Sequence, residues 1–98
     1  MIYYRFRKGV VLTSICGEYL LVATPEARSY CERIRQINET GADIVVQLLN
    51  GAGNIDEIIN GLQDEYEITN TIEFREKIQV FLDDLIKKGY VIIEEHQD

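Results

Sequence analysis

Four groups of side chains in this chain are of types that can do chemistry: a histidine, two cysteines, several neighbouring carboxylates, and a pair of closely spaced arginines. The first three make no working set. His96 is the only histidine and lies in the last three residues of the 98-residue sequence. A Cys–His nucleophile pair would have to draw on it, at a chain end prone to fraying. Metal sites draw on Cys and His at short spacings, whereas Cys16 and Cys31 form no CxxC and have no histidine beside them. Cys31 is expected to act as a small apolar filler rather than a redox thiol. The carboxylate pairs Asp56/Glu57 and Asp83/Asp84 fall at a helix start or on a solvent face, where they serve capping and solvation. The glycine-rich "NGAGN" has no lysine and no GxxxxGK[ST] pattern, and it separates two helices instead of following a strand. It is therefore not a phosphate loop. The residues predict a protein that is not an enzyme and holds no metal or cofactor.

The fourth group needs another explanation. Arg33 and Arg35 stand in "YCERIRQI", within a chain of net charge −7. Met1 to Gln36 holds six basic residues and three acidic ones, while Ile37 to Asp98 holds four basic and fourteen acidic. Such polarity gives one face the means to attract an acidic partner; on the blander reading it only keeps the protein soluble. Nucleic acid is disfavoured, because phosphate binding needs clustered Lys and Arg.

These side chains need a scaffold, and the patterning supplies one. With an apolar share of 46% over 98 residues, the chain suits a single domain, 1–98. "GVVLTSIC" and "EYLLVAT" read as two strands around a turn at "GEY", and "YCERIRQI" as a third after the polar connection "TPEARS". The alternating tract "IYYRFR" either extends the first strand or covers one side of the sheet, so that 1–37 is assigned to sheet. From Asn38 the period becomes helical. Asn38 is a good N-cap with Glu39 at the positive end of the helix dipole, and Thr40 with Asp43 is a second possible start. Ile44, Val45, Leu48 and Leu49 follow, and "NGAGN" stops the helix. Asn54 with Glu57 makes a capping box for a second helix carrying Ile55, Ile58, Ile59 and Leu62. Gly61 in this helix either permits close packing or is tolerated at about 1 kcal/mol. Asn70 or Thr71 caps the longest helix, roughly Ile72 to Lys88, whose apolar stripe includes Phe74, Ile78, Phe81, Leu82, Leu85 and Ile86. Lys87-Lys88-Gly89 ends it. Residues 38–89 thus hold three helices, and 90–95 ("YVIIEE") a closing wing strand. The expected fold is α+β: a winged helix-turn-helix with an N-terminal three-stranded antiparallel sheet. The longest apolar run, Tyr19 to Ala23, is too short for a membrane span. "MIYYRFRKG" lacks the apolar core of a signal peptide, so a cytosolic location with free thiols is expected.

With these elements in place, the sequence resembles the pyrroloquinoline quinone biosynthesis protein D (PqqD-like) family. "QINETGADIVVQLLNG" follows the family's strand-to-helix pattern, "IDEIINGLQDEYEI" its second helix, and "FLDDLIKKGYV" its third helix and stop. The resemblance spans nearly the whole chain and records architecture, since the family has no catalytic motif. It implies a module that binds the leader segment of a ribosomally made precursor peptide. The leader adds as a strand to the third strand, in a cleft whose other wall is the third helix. The precursor then passes to a modifying enzyme: a radical S-adenosylmethionine enzyme, a protease or a cyclase.

Strand addition is physically reasonable, because an unpaired sheet edge offers its backbone N–H and C=O groups to a guest. The receiving strand would be Tyr30 to Gln36. In a regular strand Cys31, Arg33 and Arg35 share one face; Tyr30, Glu32, Ile34 and Gln36 share the other. Which of the two lines the cleft is left open, and Ile37 is assigned to the core beneath the first helix. Arg75, Ile78, Gln79 and Leu82 are the expected contributions of the facing helix. Arg33, Arg35 and Arg75 would pair with leader carboxylates, each exposed pair being worth about 0–1 kcal/mol. The alternative for Ile78 and Leu82 is plain core, and for the arginines a solvated face. Two other functions compete. A winged-helix DNA-binding regulator fits the topology, but "ETGADIVVQLLNGAGNIDEIINGLQDEYEI" contains no Lys or Arg. A generic interaction domain would use the same edge to form a homodimer.

Overall fold

The computed structural model describes residues 2–63, 66–67 and 70–95. The element order is β1 (Ile2–Phe6), β2 (Val10–Ile15), β3 (Glu18–Ala23), β4 (Ile34–Ile37), α1 (Glu39–Leu49), α2 (Ile55–Leu62), α3 (Thr71–Lys87) and β5 (Val91–Glu95). This is the expected α+β winged-helix arrangement. His96 and the tail after it lie outside the described residues, as do Ile68 and Thr69 of the link before α3.

β2, β3 and β4 form the antiparallel meander, in that order. Its pairing sets Val10 opposite Ala23 and Ile15 opposite Glu18, then Val22 opposite Ile34 and Tyr19 opposite Ile37. The β2–β3 hairpin closes through Cys16 and Gly17, both at positive φ (53° and 80°). One face of the sheet carries Leu21, Ala23 and Ile37 into the core; the other leaves Val11, Ile15 and Ile34 exposed.

The N-terminal tract departs from both expectations for it. "IYYRF" neither extends β2 nor lies across the meander. It is a separate strand, β1, paired antiparallel with β5 from Ile2↔Glu95 to Phe6↔Val91. A turn ending at Gly9, whose φ is +92°, separates β1 from β2, and the Arg7 N–H donates to the Tyr90 carbonyl to prolong the ribbon. The alternation is still meaningful: Tyr4 is buried, while Arg5 faces solvent and pairs with Glu94.

Three asparagines start the three helices. Asn38 accepts from Gly41 N–H at 2.7 Å, Asn54 from Glu57 N–H at 2.9 Å, and Asn70 from Glu73 N–H at 3.0 Å. The first and third resolve the alternative starts at Thr40 and Thr71. Each cap satisfies one donor the helix cannot use, typically worth about 1 kcal/mol. Glu57 returns the interaction by accepting from Gly53 N–H. At Gly61 a Cβ would stand 1.9 Å from Gln47 Oε1, so the Gln47 side-chain amide of α1 lies over this glycine.

The core gathers Val45 and Leu48 from α1, Ile58 and Leu62 from α2, and Ile78, Leu82 and Leu85 from α3, with Tyr4, Leu21, Ile37 and Val91 from the strands and Tyr90 from the turn before β5. Burying one such aliphatic side chain contributes about 1.5–3 kcal/mol. α3 is therefore held from several sides, and its position relative to β4 is fixed.

Candidate functional site

β4 is an edge strand, and its backbone polarity can be read from one bond. The Arg33 carbonyl accepts from Ala23 N–H at 2.8 Å. Antiparallel alternation then turns the backbone groups of Arg35 and Ile37 toward β3 and those of Ile34 and Gln36 away from it. Among the described residues no backbone bond from Ile34 or Gln36 reaches another segment. The sheet therefore ends in a short unpaired edge.

That edge does not extend back to Tyr30, as a strand over Tyr30–Gln36 would require. Residues 24–31 fold into turns around the buried Ala27, with Ala27 and Arg28 N–H bonding back to the Thr24 carbonyl. Glu32 N–H, which would head the open edge, is directed at the Lys88 carbonyl at 3.4 Å. Lys88 Nζ lies 3.4 Å from Glu32 Oε1, and Tyr90 Oη donates to the Glu32 carbonyl at 2.7 Å. Gly89 lies so close beneath that a Cβ there would stand 1.9 Å from the Tyr30 carbonyl oxygen. Arg7 stacks over the Tyr30 ring at 4.5 Å and donates to the Gly89 carbonyl at 2.7 Å. The end of α3 thus covers the start of the segment.

Burial acts on two groups in this corner. It pushes the Tyr90 hydroxyl up to about 12, assisted by the nearby Glu32 charge. It also raises the Cys31 thiol, against the opposing pull of Arg7. Cys31 donates to the Ala27 carbonyl at 3.2 Å, so it sits as a half-buried filler whose thiolate is disfavoured.

Beyond Arg33, β4 is tied to α3 by Arg35 Nη2, which donates to Asp84 Oδ2 at 2.6 Å, with Glu32 Oε2 3.9 Å from Arg35 Nη1. Past the end of β4, α1 and α3 enclose a cleft of about 450 Å³, lined chiefly by Asn38, Gly41, Ile44, Phe74, Lys77 and Phe81. Gly41 faces Phe81 so closely that a Cβ would fall 2.8 Å from the ring. At one rim Tyr66 donates its hydroxyl to Asp43, which raises the Tyr66 pKa. The cleft is largely apolar, with an ammonium at its mouth from Lys77, which lies 3.6 Å from Glu73.

The residues expected at the site separate into groups. Arg35 is half-buried and faces α3 through Asp84, whereas Ile34, 61% exposed, points from the opposite face of the sheet and brings only its backbone to the edge. Arg33 is exposed and has no side-chain partner among the described residues. Tyr30, Cys31 and Glu32 form the closed corner. Ile78 lines the inner wall of the cleft and is 1% exposed; Leu82 is core, at 0%. The remaining two face other elements. Arg75 pairs with Asp56 of α2, and Gln79 donates to the Tyr4 hydroxyl at 3.1 Å and to Asp83 at 2.9 Å. Lys77 and Phe81, which line the cleft, and Asp84, which meets Arg35, lie one position around the helix from the residues the sequence reading chose. The signal was present in the spacing of Lys77, Phe81, Asp84 and Lys88, a helical row shifted from Arg75, Ile78, Gln79 and Leu82.

An unpaired strand edge can in general take a guest strand through main-chain hydrogen bonds. The family profile of coenzyme PQQ synthesis protein D (PqqD) matches residues 20–91, which include most of β3, all of β4 and all three helices. The chain belongs to the PqqD family. Two solved structures share the fold. A lasso peptide synthetase B1 complexed with the leader peptide superposes with a TM-score of 0.70 at 21% identity, covering 91% of this chain and 96% of that one. TbiB1 in complex with the TbiA(beta) leader peptide gives a TM-score of 0.70 at 20% identity, covering 96% and 99%. No curated protein sequence matches the chain.

Proposed function

We propose that this protein is a non-catalytic binding module. It captures the leader segment of a ribosomally made precursor peptide by strand addition to β4, against α3, and delivers it to a modifying enzyme. The observation that carries this reading is the unpaired backbone of Ile34 and Gln36 beside an apolar cleft. Membership of the PqqD family supports it, and so do the leader peptides named in the two similar structures. Ile34 and Gln36 supply main-chain bonds, Phe81 and Ile78 wall the apolar pocket, and Arg33 and Arg35 set the charge along the edge. The closed corner at Tyr30, Cys31 and Glu32 ends the docking edge, while Arg75 and Gln79 support the fold. The modifying enzyme is a radical S-adenosylmethionine enzyme, a protease or a cyclase acting in the cytosol.

Neither α1 nor α2 carries a basic residue, and Arg75 and Lys77 of α3 are matched by Asp56 and Glu73; nothing here favours DNA. The deciding experiment is titration of a labelled leader peptide encoded beside this gene, with amide exchange followed at Ile34 and Gln36. Protection of both amides on binding is expected. Saturable binding that leaves them unprotected would move the site elsewhere. A shift to dimer that buries the same edge without leader would favour self-association.

A further inference from the structure

Arg35 of β4 and Arg33 just before the strand are not equivalent, and the difference defines a peptide pattern. This inference rests on the strand-addition reading above. A guest strand bonds to Ile34 and Gln36, the residues with outward backbone groups. Guest residues opposite Ile37, Arg35 and Arg33 then point toward α3, two residues apart, because side chains alternate along a strand. An antiparallel guest meets them in that order along its own sequence. Taking the residue opposite Ile37 as position 1, position 3 lies opposite Arg35 and position 5 opposite Arg33. Position 4, on the other face, lies opposite Ile34.

Each position meets a different environment. Position 1 stands where β4 runs into Asn38, at the entrance of the apolar cleft of about 450 Å³. Position 4 adds to the apolar row that the exposed Val11 and Ile34 form with the half-buried Val22 between them. Position 3 meets a guanidinium whose charge is already answered by Asp84 at 2.6 Å and Glu32 at 3.9 Å. A carboxylate there gains little from Arg35 and is repelled by two others. Position 5 meets Arg33, exposed and without an ionic partner among the described residues. Just beyond it the edge is closed by Lys88.

We propose that the docked segment reads apolar, any, uncharged, apolar, acidic: an apolar anchor at position 1, a neutral residue at position 3, an apolar residue at position 4 and Asp or Glu at position 5. Asp84 is the positioning residue that keeps carboxylates from Arg35, and Arg33 is the residue that selects them.

The test uses the full chain and a display library of random twelve-residue peptides. Enriched peptides are synthesised with a fluorescent label, and their affinities are measured by anisotropy with amide exchange at Ile34 and Gln36. The expected result is enrichment of the stated spacing. Replacing the acid at position 5 by Lys should weaken binding roughly fivefold at low salt, with the effect shrinking as salt rises. Arg33→Glu should reverse that preference. Asp84→Asn should turn position 3 from acid-averse to acid-preferring, a change that mere structural damage would not produce. Peptides that protect Ile34 and Gln36 but show no charge preference at positions 3 and 5 would overturn the pattern and leave strand addition standing. Failure of any selected peptide to protect those amides would overturn both.

Discussion

The two halves of the segment 30–37 have similar side chains and opposite fates. In Tyr30–Glu32 the backbone is folded onto the end of α3, with Glu32 held between Lys88 and Tyr90. In Ile34–Ile37 the backbone is extended, and among the described residues its outward side pairs with no other segment. The contrast shows how a protein can keep an open sheet edge without a long adhesive one. Exposed edges invite unwanted pairing, and short length is among the standard protections. Here the helix stop that ends α3 also sets where the edge begins.

That contrast can be broken or sharpened experimentally. The largest effect should come from Leu82→Asp, which removes the support common to both halves. A charge placed at a fully buried site should destabilise the fold by about 4 kcal/mol or more, read as loss of the cooperative urea transition. The next should be Gly89→Ala, which attacks the closed half alone. Gly89 has φ +92° and would bring its Cβ against the Tyr30 carbonyl. A loss of about 2–3 kcal/mol is expected, with faster amide exchange at Glu32 and little change at Ile34. Gln36→Pro attacks the open half instead. Its N–H faces outward, so stability should change by less than about 1 kcal/mol, whereas leader affinity should fall at least tenfold, or roughly 1.4 kcal/mol.

A smaller effect is expected from pH. The Tyr90 hydroxyl titrates near 12 in the folded protein and near 10 when unfolded. Between these values the unfolded chain loses its proton first, so stability should fall as pH rises through that window and be fully retained below it. Tyr90→Phe should remove this alkaline slope in denaturation measured at successive pH values. Smallest is the Arg35–Asp84 pair, whose side chains are 35% and 38% exposed. A double-mutant cycle should give a coupling below about 1 kcal/mol; a larger value would mean that the bridge holds β4 to α3 and does not merely tune the charge there.

The helices were legible in the sequence because their signals are local. An Asn cap, a 3.6-residue apolar period and a glycine or lysine stop need no partner to be recognised, and all three helices lie where those marks put them. The meander was legible too, from β-branched runs around turns. The partner of "IYYRF" was not, because alternation shows that a strand has two faces but not which distant strand it meets. The start of β4 was misjudged for a related reason. "SYCER" has no Gly or Pro to announce turns, and its conformation depends on Gly89 and Lys88, far along the chain. Of the candidate site, Ile37 was rightly given to the core, and Arg35 faces α3 through Asp84. The helix residues chosen were Arg75, Ile78, Gln79 and Leu82, whereas Lys77, Ile78 and Phe81 line the cleft, since a broad apolar stripe does not say which of its margins is open.

The β1–β5 ribbon has one more implication. Ile2 and Glu95 are cross-strand neighbours, which in an antiparallel pair means Cα atoms about 5 Å apart. A few glycines would join them, and new termini could be cut at the exposed Cys16–Gly17 bend. Such a circular permutant should fold, and the same adjacency would let the domain be spliced into a loop of a host enzyme without stretching either.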